Sequence, residues 1–369
     1  MRTTKKLLSL LLALCMVVTL LPATVLAAEE TTYVAQIGET KYETLEKAVA
    51  AVQDGTLTEI ELLSNAEGNG IVIPSGRNII FNLHGLSYTI SGNTVGSEGT
   101  ETNAFQLLKD SNITFKNGKL TSEKAALLIQ NYSNLTLDQM VLQGGTDLVV
   151  SNNNGKTVIR DTEITASENG AAFDVYSFSI YTGGNVIVEG NSKINGNIQV
   201  GYQENASTED LNLTIKSGTI TGAIEQSGNA DATFLKENIS ISGGTFSTDV
   251  SAYLDVGCKL ENGTVVPDDD SVASIGNKGY ETLADAVAAA QGGDTVKLLT
   301  DVTIDTWNQV WNTKNLTIDG NNKAITVGKV ESNGNGNYLF YGAENLNVSD
   351  LTINFKTNGN GFSMVSGKL

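Results

Sequence analysis

Hydrophobic and polar residues alternate in short runs along most of this chain, and each run opens on a polar residue, usually asparagine, and meets a tight polar turn. Asn78-Ile79-Ile80-Phe81-Asn82-Leu83-His84-Gly85 is one such run. Asn112-Ile113-Thr114-Phe115-Lys116, Asn134-Leu135-Thr136-Leu137-Asp138, Thr157-Val158-Ile159-Arg160-Asp161, Asn185-Val186-Ile187-Val188-Glu189, Asn212-Leu213-Thr214-Ile215-Lys216 and Asn238-Ile239-Ser240-Ile241-Ser242 repeat it. Asn315-Leu316-Thr317-Ile318-Asp319 and Asn345-Leu346-Asn347-Val348-Ser349 add two more, so seven turns precede residue 263 and two follow residue 291. Alternation over a few residues predicts half-buried β-strands. Most runs recur 22 to 30 residues apart, the length of a solenoid coil holding three short strands and three turns. A sandwich or barrel would place strands roughly 8 to 12 residues apart, so the solenoid is preferred. Asparagine at the head of each run tolerates left-handed turns, and stacked asparagines can hydrogen-bond along the coil axis.

A helical period occurs in two places, and they are copies of one another. Val34–Gly55 and Val272–Gly293 align without gaps and share 14 of 22 residues. In each, apolar positions (Tyr42, Leu45, Ala48, Val49, Val52; Tyr280, Leu283, Ala286, Val287, Ala290) repeat as on an amphipathic helix. Thr44 and Thr282 stand where an N-cap belongs, and Gly55 and Gly292-Gly293 stop the pattern. A helix laid across the end of a solenoid covers its unpaired strand edge and open core. The expected organisation is therefore a first unit over 33–262 with its cap helix at 42–54, a linker over 263–271, and a second unit over 272–369 with its cap helix at 280–291. Thr248–Leu254 reads as a short closing helix of the first unit. The second unit is expected to be incomplete, since it carries two runs and no closing segment.

The first 28 residues change the cellular picture. Arg2, Lys5 and Lys6 precede the apolar run Leu7–Leu21, and Val25-Leu26-Ala27 offers small residues for cleavage: a secretory signal peptide over 1–28. A membrane span is disfavoured because the run is short. A lipoprotein site at Cys15 is disfavoured by Leu14 before it. Cleavage removes three of 23 basic residues and leaves 20 against 41 acidic ones, a net charge near −21. Such a surface repels nucleic acid and anionic lipid, so neither nucleic-acid partners nor membrane insertion is expected after cleavage. Cys258 remains as the only cysteine and cannot form an intramolecular disulfide.

The Tyr-x-Thr-Leu-x-x-Ala-Val-Ala-Ala helix ending at glycine, the strand after it and the Asn-Ile/Leu-x-Ile/Phe coils resemble the right-handed parallel β-helix proteins of the pectin lyase-like superfamily. Ser242–Leu254 resembles the closing segment of β-helix repeats in secreted surface proteins of gut Firmicutes. The resemblance covers nearly the whole chain after the leader. It implies an all-β, right-handed parallel β-helix with a short N-terminal capping helix, in two tandem units. It speaks to architecture and hardly to activity.

Enzymes of this superfamily include galacturonan hydrolases, which the resemblance would equip with Asn-Thr-Asp, Asp-Asp, Gly-His-Gly and Arg-Ile-Lys elements that assemble paired carboxylates. Only an Asp-Asp run is present, at Asp268-Asp269-Asp270 in the expected linker. Those three carboxylates offer oxygen ligands for calcium, although a solvated charge run accounts for them better. Zinc is excluded, because His84 and Cys258 cannot build a site. Lyases of the superfamily use an arginine as base; beyond the leader only Arg77 and Arg160 are available, and Arg160 with Asp161 and Glu163 is the nearest approach to an acid/base group. His84 reads as an ordinary turn residue. Trp307, Trp311, Tyr338 and Tyr341 are candidates for stacking on sugar rings, with core packing an equal account. The expected function is a secreted or cell-surface, non-catalytic module that binds glycans or host and matrix molecules. A polysaccharide lyase or glycoside hydrolase with a divergent site is the alternative, and a plain structural stalk a third.

Overall fold

The computed structural model describes residues 32–178, 181–276, 278–304, 310–312, 315–327, 338–342, 345–356 and 360–364. Its strands stack in parallel into a β-solenoid of about 11 turns. Three strands per coil build three sheets. In the first unit the first sheet runs from Leu57–Leu62 through Asn78–Asn82 to Ile239–Ile241, eight coils in all. Three further coils begin at Thr295–Leu298, Leu316–Val327 and Leu346–Phe355. The strand that follows each cap helix is thus itself the first coil, which is why seven and two runs become eight and three.

Stacking in register turns the alternation of each run into columns. Ile60, Phe81, Phe115, Leu137, Ile159, Val188, Ile215 and Ile241 form one inward column of the first sheet. The Phe81 and Phe115 rings stack at 4.6 Å, and Phe105 from the third sheet meets Phe115 edge-on at 5.3 Å. Thr157 interrupts the neighbouring apolar column, but it is not an orphan. Its hydroxyl donates to Asn152 Oδ1 at 2.7 Å and accepts from Asn131 Nδ2 at 3.0 Å, closing a buried network at the bend between the third sheet and the first.

On four successive coils the corner between the first and second sheets is a single left-handed residue. Asn117, Gln139, Asp161 and Gly190 occupy that corner on successive coils with φ of 56°, 55°, 48° and 68°. Asparagine, aspartate and glycine reach this region at low cost, and Gln139 is the one larger side chain among the four.

The heads of the runs form the asparagine ladder expected of them. Asn78 Nδ2 donates to the Gly55 carbonyl at 3.1 Å, Asn112 to Asn78 Oδ1 at 2.7 Å, and Asn134 to Asn112 Oδ1 at 2.9 Å, while Asn185 donates to Asn212. Lys156 stands in register between Asn134 and Asn185 and breaks the ladder. Lys156→Asn should restore it and stabilise the fold by about 1 kcal/mol. A rise in the thermal midpoint is the expected reading; an unchanged or lower midpoint would refute the ladder's contribution.

The helices are α1 (Leu45–Ala51), α2 (Ala232–Asn238) and α3 (Leu283–Ala289). Thr44 and Thr282 cap α1 and α3, their hydroxyls accepting from the Lys47 and Asp285 amides at 3.2 and 3.0 Å. Both helices are shorter than the apolar period suggests, because Tyr42 and Tyr280 belong to β-hairpins. Tyr42 pairs with Ala35 and Tyr280 with Ala273, and the same Ala35 and Ala273 pair antiparallel with Leu62 and Leu298 of the first coils. Each unit therefore opens with an antiparallel strand on the edge and a helix over the core.

The far end of the first unit differs from expectation. Only Ser251–Tyr253 forms a helical turn. Closure comes from α2 and from a hairpin, Cys258–Glu261 with Thr264–Pro267, whose second strand pairs antiparallel with Gly244–Phe246. Part of the expected linker is therefore a strand. Asn262 and Gly263, both with positive φ, make its two-residue turn.

Candidate functional site

The residues singled out as an acid/base group stand apart on the solenoid. Arg160 lies on an outward column of the first sheet that reads Glu61, Asn82, Lys116, Asp138, Arg160, Glu189. Its guanidinium is held by Glu189 Oε1 at 2.8–2.9 Å, and Lys216 reaches the other oxygen at 3.2 Å. Arg160 first, then Lys216, draw the Glu189 carboxyl below its usual range. Asp161 is the left-handed corner residue, and its carboxylate accepts the Asn191 amide at 2.7 Å. Glu163 opens the next strand, on the outer face of the second sheet, in register with Val141 and Lys193. Arg160 and Asp161 thus serve the charge column and the corner. His84 is also left-handed, with Nε2 3.0 Å from Glu61 Oε1.

At Asp268-Asp269-Asp270 a protein cation already faces two of the carboxylates. Lys259 Nζ lies 3.8 Å from Asp268, 3.7 Å from Asp270 and 3.2 Å from Glu261. Among the described residues no three His, Cys, Asp or Glu side chains are placed to hold a metal ion. Burial, then the nearby Asp255 and Asp268, push the Cys258 thiol up and away from reactivity. Trp307 lies outside the described residues. Trp311 and Tyr341 are in register on paired strands of the second unit, and Tyr338 begins the second of these; their side chains lie outside the description.

The outer face of the third sheet in the first unit gathers polar and aromatic side chains that the run pattern does not single out. Gln106, Gln130, Ser151, Asp174, Gln199 and Glu225 form one column over six coils. Gln130 Oε1 accepts from both Gln106 Nε2 and Asn103 Nδ2 at 2.9 Å, and Asn197 Nδ2 donates to Glu225 at 2.7 Å. Two residues further along each strand, and so on the same face, Asn153 and Tyr176 are in register, with Tyr132 following the strand before them. The Tyr176 hydroxyl extends past Gly201 towards Gly228. Tyr181 packs on Tyr132 with ring centroids 5.9 Å apart, and Phe178 beside it is 43% exposed.

Asp174 sits at the centre of this face and is only 7% exposed. Its carboxyl accepts the Asn152 amide and, at 3.3 Å, the Ser151 hydroxyl. No cationic side chain pairs with it among the described residues, and burial pushes it up to about 7 despite those hydrogen bonds. Tyr132 and Tyr176 are pushed up as well, by burial first and by the Asp174 charge among the lesser causes. Gln130, Gln199 and Glu225 reach the surface of this column while Gln106, Ser151 and Asp174 lie buried beneath it; the accessible groups, beside the tyrosine rings, can follow an extended polar chain along the axis.

No family model, curated protein or solved structure matches this chain.

The face was nonetheless present in the sequence as a third, weaker refrain. Ala104-Phe105-Gln106, Leu128-Ile129-Gln130, Val149-Val150-Ser151 and Ala172-Phe173-Asp174 each place two apolar residues before the outward polar one.

Proposed function

We propose that this chain is a secreted or cell-surface β-solenoid that binds extended glycans on the outer face of its third sheet. The observation that carries the reading is the Gln106-to-Glu225 column with Tyr132 and Tyr176 beside it. The leader over 1–28, the acidic surface and the resemblance to pectin lyase-like β-helices of gut Firmicutes surface proteins agree with that setting. No described helix is long and apolar enough to cross a membrane. Screened on a glycan array, the chain lacking its leader should bind at least one linear polysaccharide. Tyr176→Ala should weaken that binding about 30-fold, as loss of an aromatic anchor does. Failure to bind any glycan, or binding indifferent to Tyr176 and Tyr132, would refute the site.

One observation favours a second reading, a hydrolase. Asp174, poised near neutrality, suits a general acid, and Glu225 lies two coils along the same column, about 10 Å away by strand spacing. Reducing ends released from a polysaccharide by the wild type and not by Asp174→Asn would establish it; inactivity over acidic and neutral polysaccharides would dismiss it.

A further inference from the structure

A concavity lies on a different sheet from the tyrosine-bearing face. It is a groove of about 620 Å³ on the outer face of the second sheet of the first unit, where that sheet turns towards the third. Thr89, Thr121, Gln143 and Thr165 stand in register along it on four successive coils. At roughly 4.8 Å per coil this row extends about 14 Å. Thr89 and Thr121 share a hydrogen bond at 3.0 Å, and Thr165 Oγ1 accepts from Asn195 Nδ2 at 3.2 Å. The Gln143 amide is exposed and makes no side-chain hydrogen bond among the described residues. The turn at the groove is side-chain-free by necessity. A Cβ on Gly144 would stand 2.0 Å from the Ser122 carbonyl oxygen, and one on Gly145 2.1 Å from that of Leu148.

We infer that this groove is a second binding site, for a linear, uncharged glycan, distinct from the tyrosine-bearing face. Strand N–H and C=O groups are consumed by pairing between coils, so the groove offers a ligand its hydroxyls and an amide, partners for a polyol and poor ones for a peptide strand. Among the described residues no aromatic ring lines it, so the ligand is held edge-on through its hydroxyls without stacking. Its charged side chains are Lys119, Glu123 and Lys124, of mixed sign, and the Lys124 ammonium is already bonded to the Ser91 carbonyl. Two lysines against one glutamate leave the groove one positive charge, set against a formal charge of −18 on the whole chain, too little to draw in a polyanion.

Calorimetric titration of the chain lacking its leader with cellohexaose, xylohexaose and mannohexaose, and with hexagalacturonate, tests the site. At least one neutral hexasaccharide should bind. Gln143→Ala should weaken it about tenfold, with an unchanged melting curve, while Lys236→Ala, on α2 and outside the groove, leaves it intact. The proposal falls if no neutral hexasaccharide binds, if hexagalacturonate alone binds, or if Tyr176→Ala abolishes binding that the groove variant retains. Because the two sites are read by different variants, failure of either leaves the other standing.

Discussion

Asp174→Asn is expected to raise the thermal midpoint by about 10 °C at pH 8 and to leave it nearly unchanged at pH 4. The carboxyl ionises near pH 3.8 in an unfolded chain and near 7 in the folded one. Between those values the native state holds a proton that the unfolded state has lost, so stability falls as pH rises through this window. The loss is on the order of 4 kcal/mol once the folded carboxyl is ionised. Asparagine has the same shape and stays neutral. Its carbonyl can accept the Asn152 amide as Asp174 does, and its amide can donate to the Ser151 hydroxyl. Tyr132 and Tyr176, the titratable neighbours, are pushed up and remain neutral across this range. Melting curves of wild type and variant from pH 4 to pH 8 decide the matter: parallel profiles would mean that Asp174 is not held protonated.

The second large effect concerns the caps. Leu45 on α1 is 5% exposed and faces Ile60, Leu62, Phe81 and Tyr88 across the end of the first core. Leu45→Asp removes that packing and sets an unpaired carboxylate against apolar walls, a cost of about 5 kcal/mol. Leu283 holds the same place on α3, over a separate core cluster that contains Val296, Ile318 and Phe340. In scanning calorimetry Leu45→Asp should lower the transition of the first unit and Leu283→Asp that of the second. A single transition, shifted equally by either variant, would show that the two cores melt as one. Soluble oligomers are expected from Leu45→Asp, since a dislodged α1 uncovers the apolar end of the core at Ile60, Leu62, Phe81 and Tyr88.

The solenoid could be read from the chain because the first strand of most coils begins with asparagine, and the asparagines stack. Any column that repeats one residue type announces itself. The third sheet hides for the opposite reason. Its column runs Gln106, Gln130, Ser151, Asp174, Gln199, Glu225, with no common residue. Its strands are also buried on both faces in places: Asn103–Leu107 is buried throughout, so the alternation that reveals a strand is lost. Arg160, Asp161 and Glu163 are neighbours in sequence, yet a left-handed corner between them turns adjacent residues onto different faces. The partner of Arg160 lies 29 positions away on the next coil. In a solenoid, residues about one coil apart are closer companions than residues three apart. The closing hairpin carries its signal, Asn262-Gly263, but the acidic run that follows gives the segment the composition of a linker.

The antiparallel strand that starts each unit has a consequence for how such chains change over generations. Ala35 pairs with Tyr42 and Leu62, and Ala273 with Tyr280 and Leu298, so each opening is self-sufficient: hairpin, helix and first coil complete one another locally. A gene segment that begins at such an opening can be copied behind any closing hairpin without a register to match. Coils added or lost inside a unit must preserve every column at once, but whole units need preserve none. Length is therefore free to vary in this architecture by duplication of entire units, while the outer faces of each unit diverge separately.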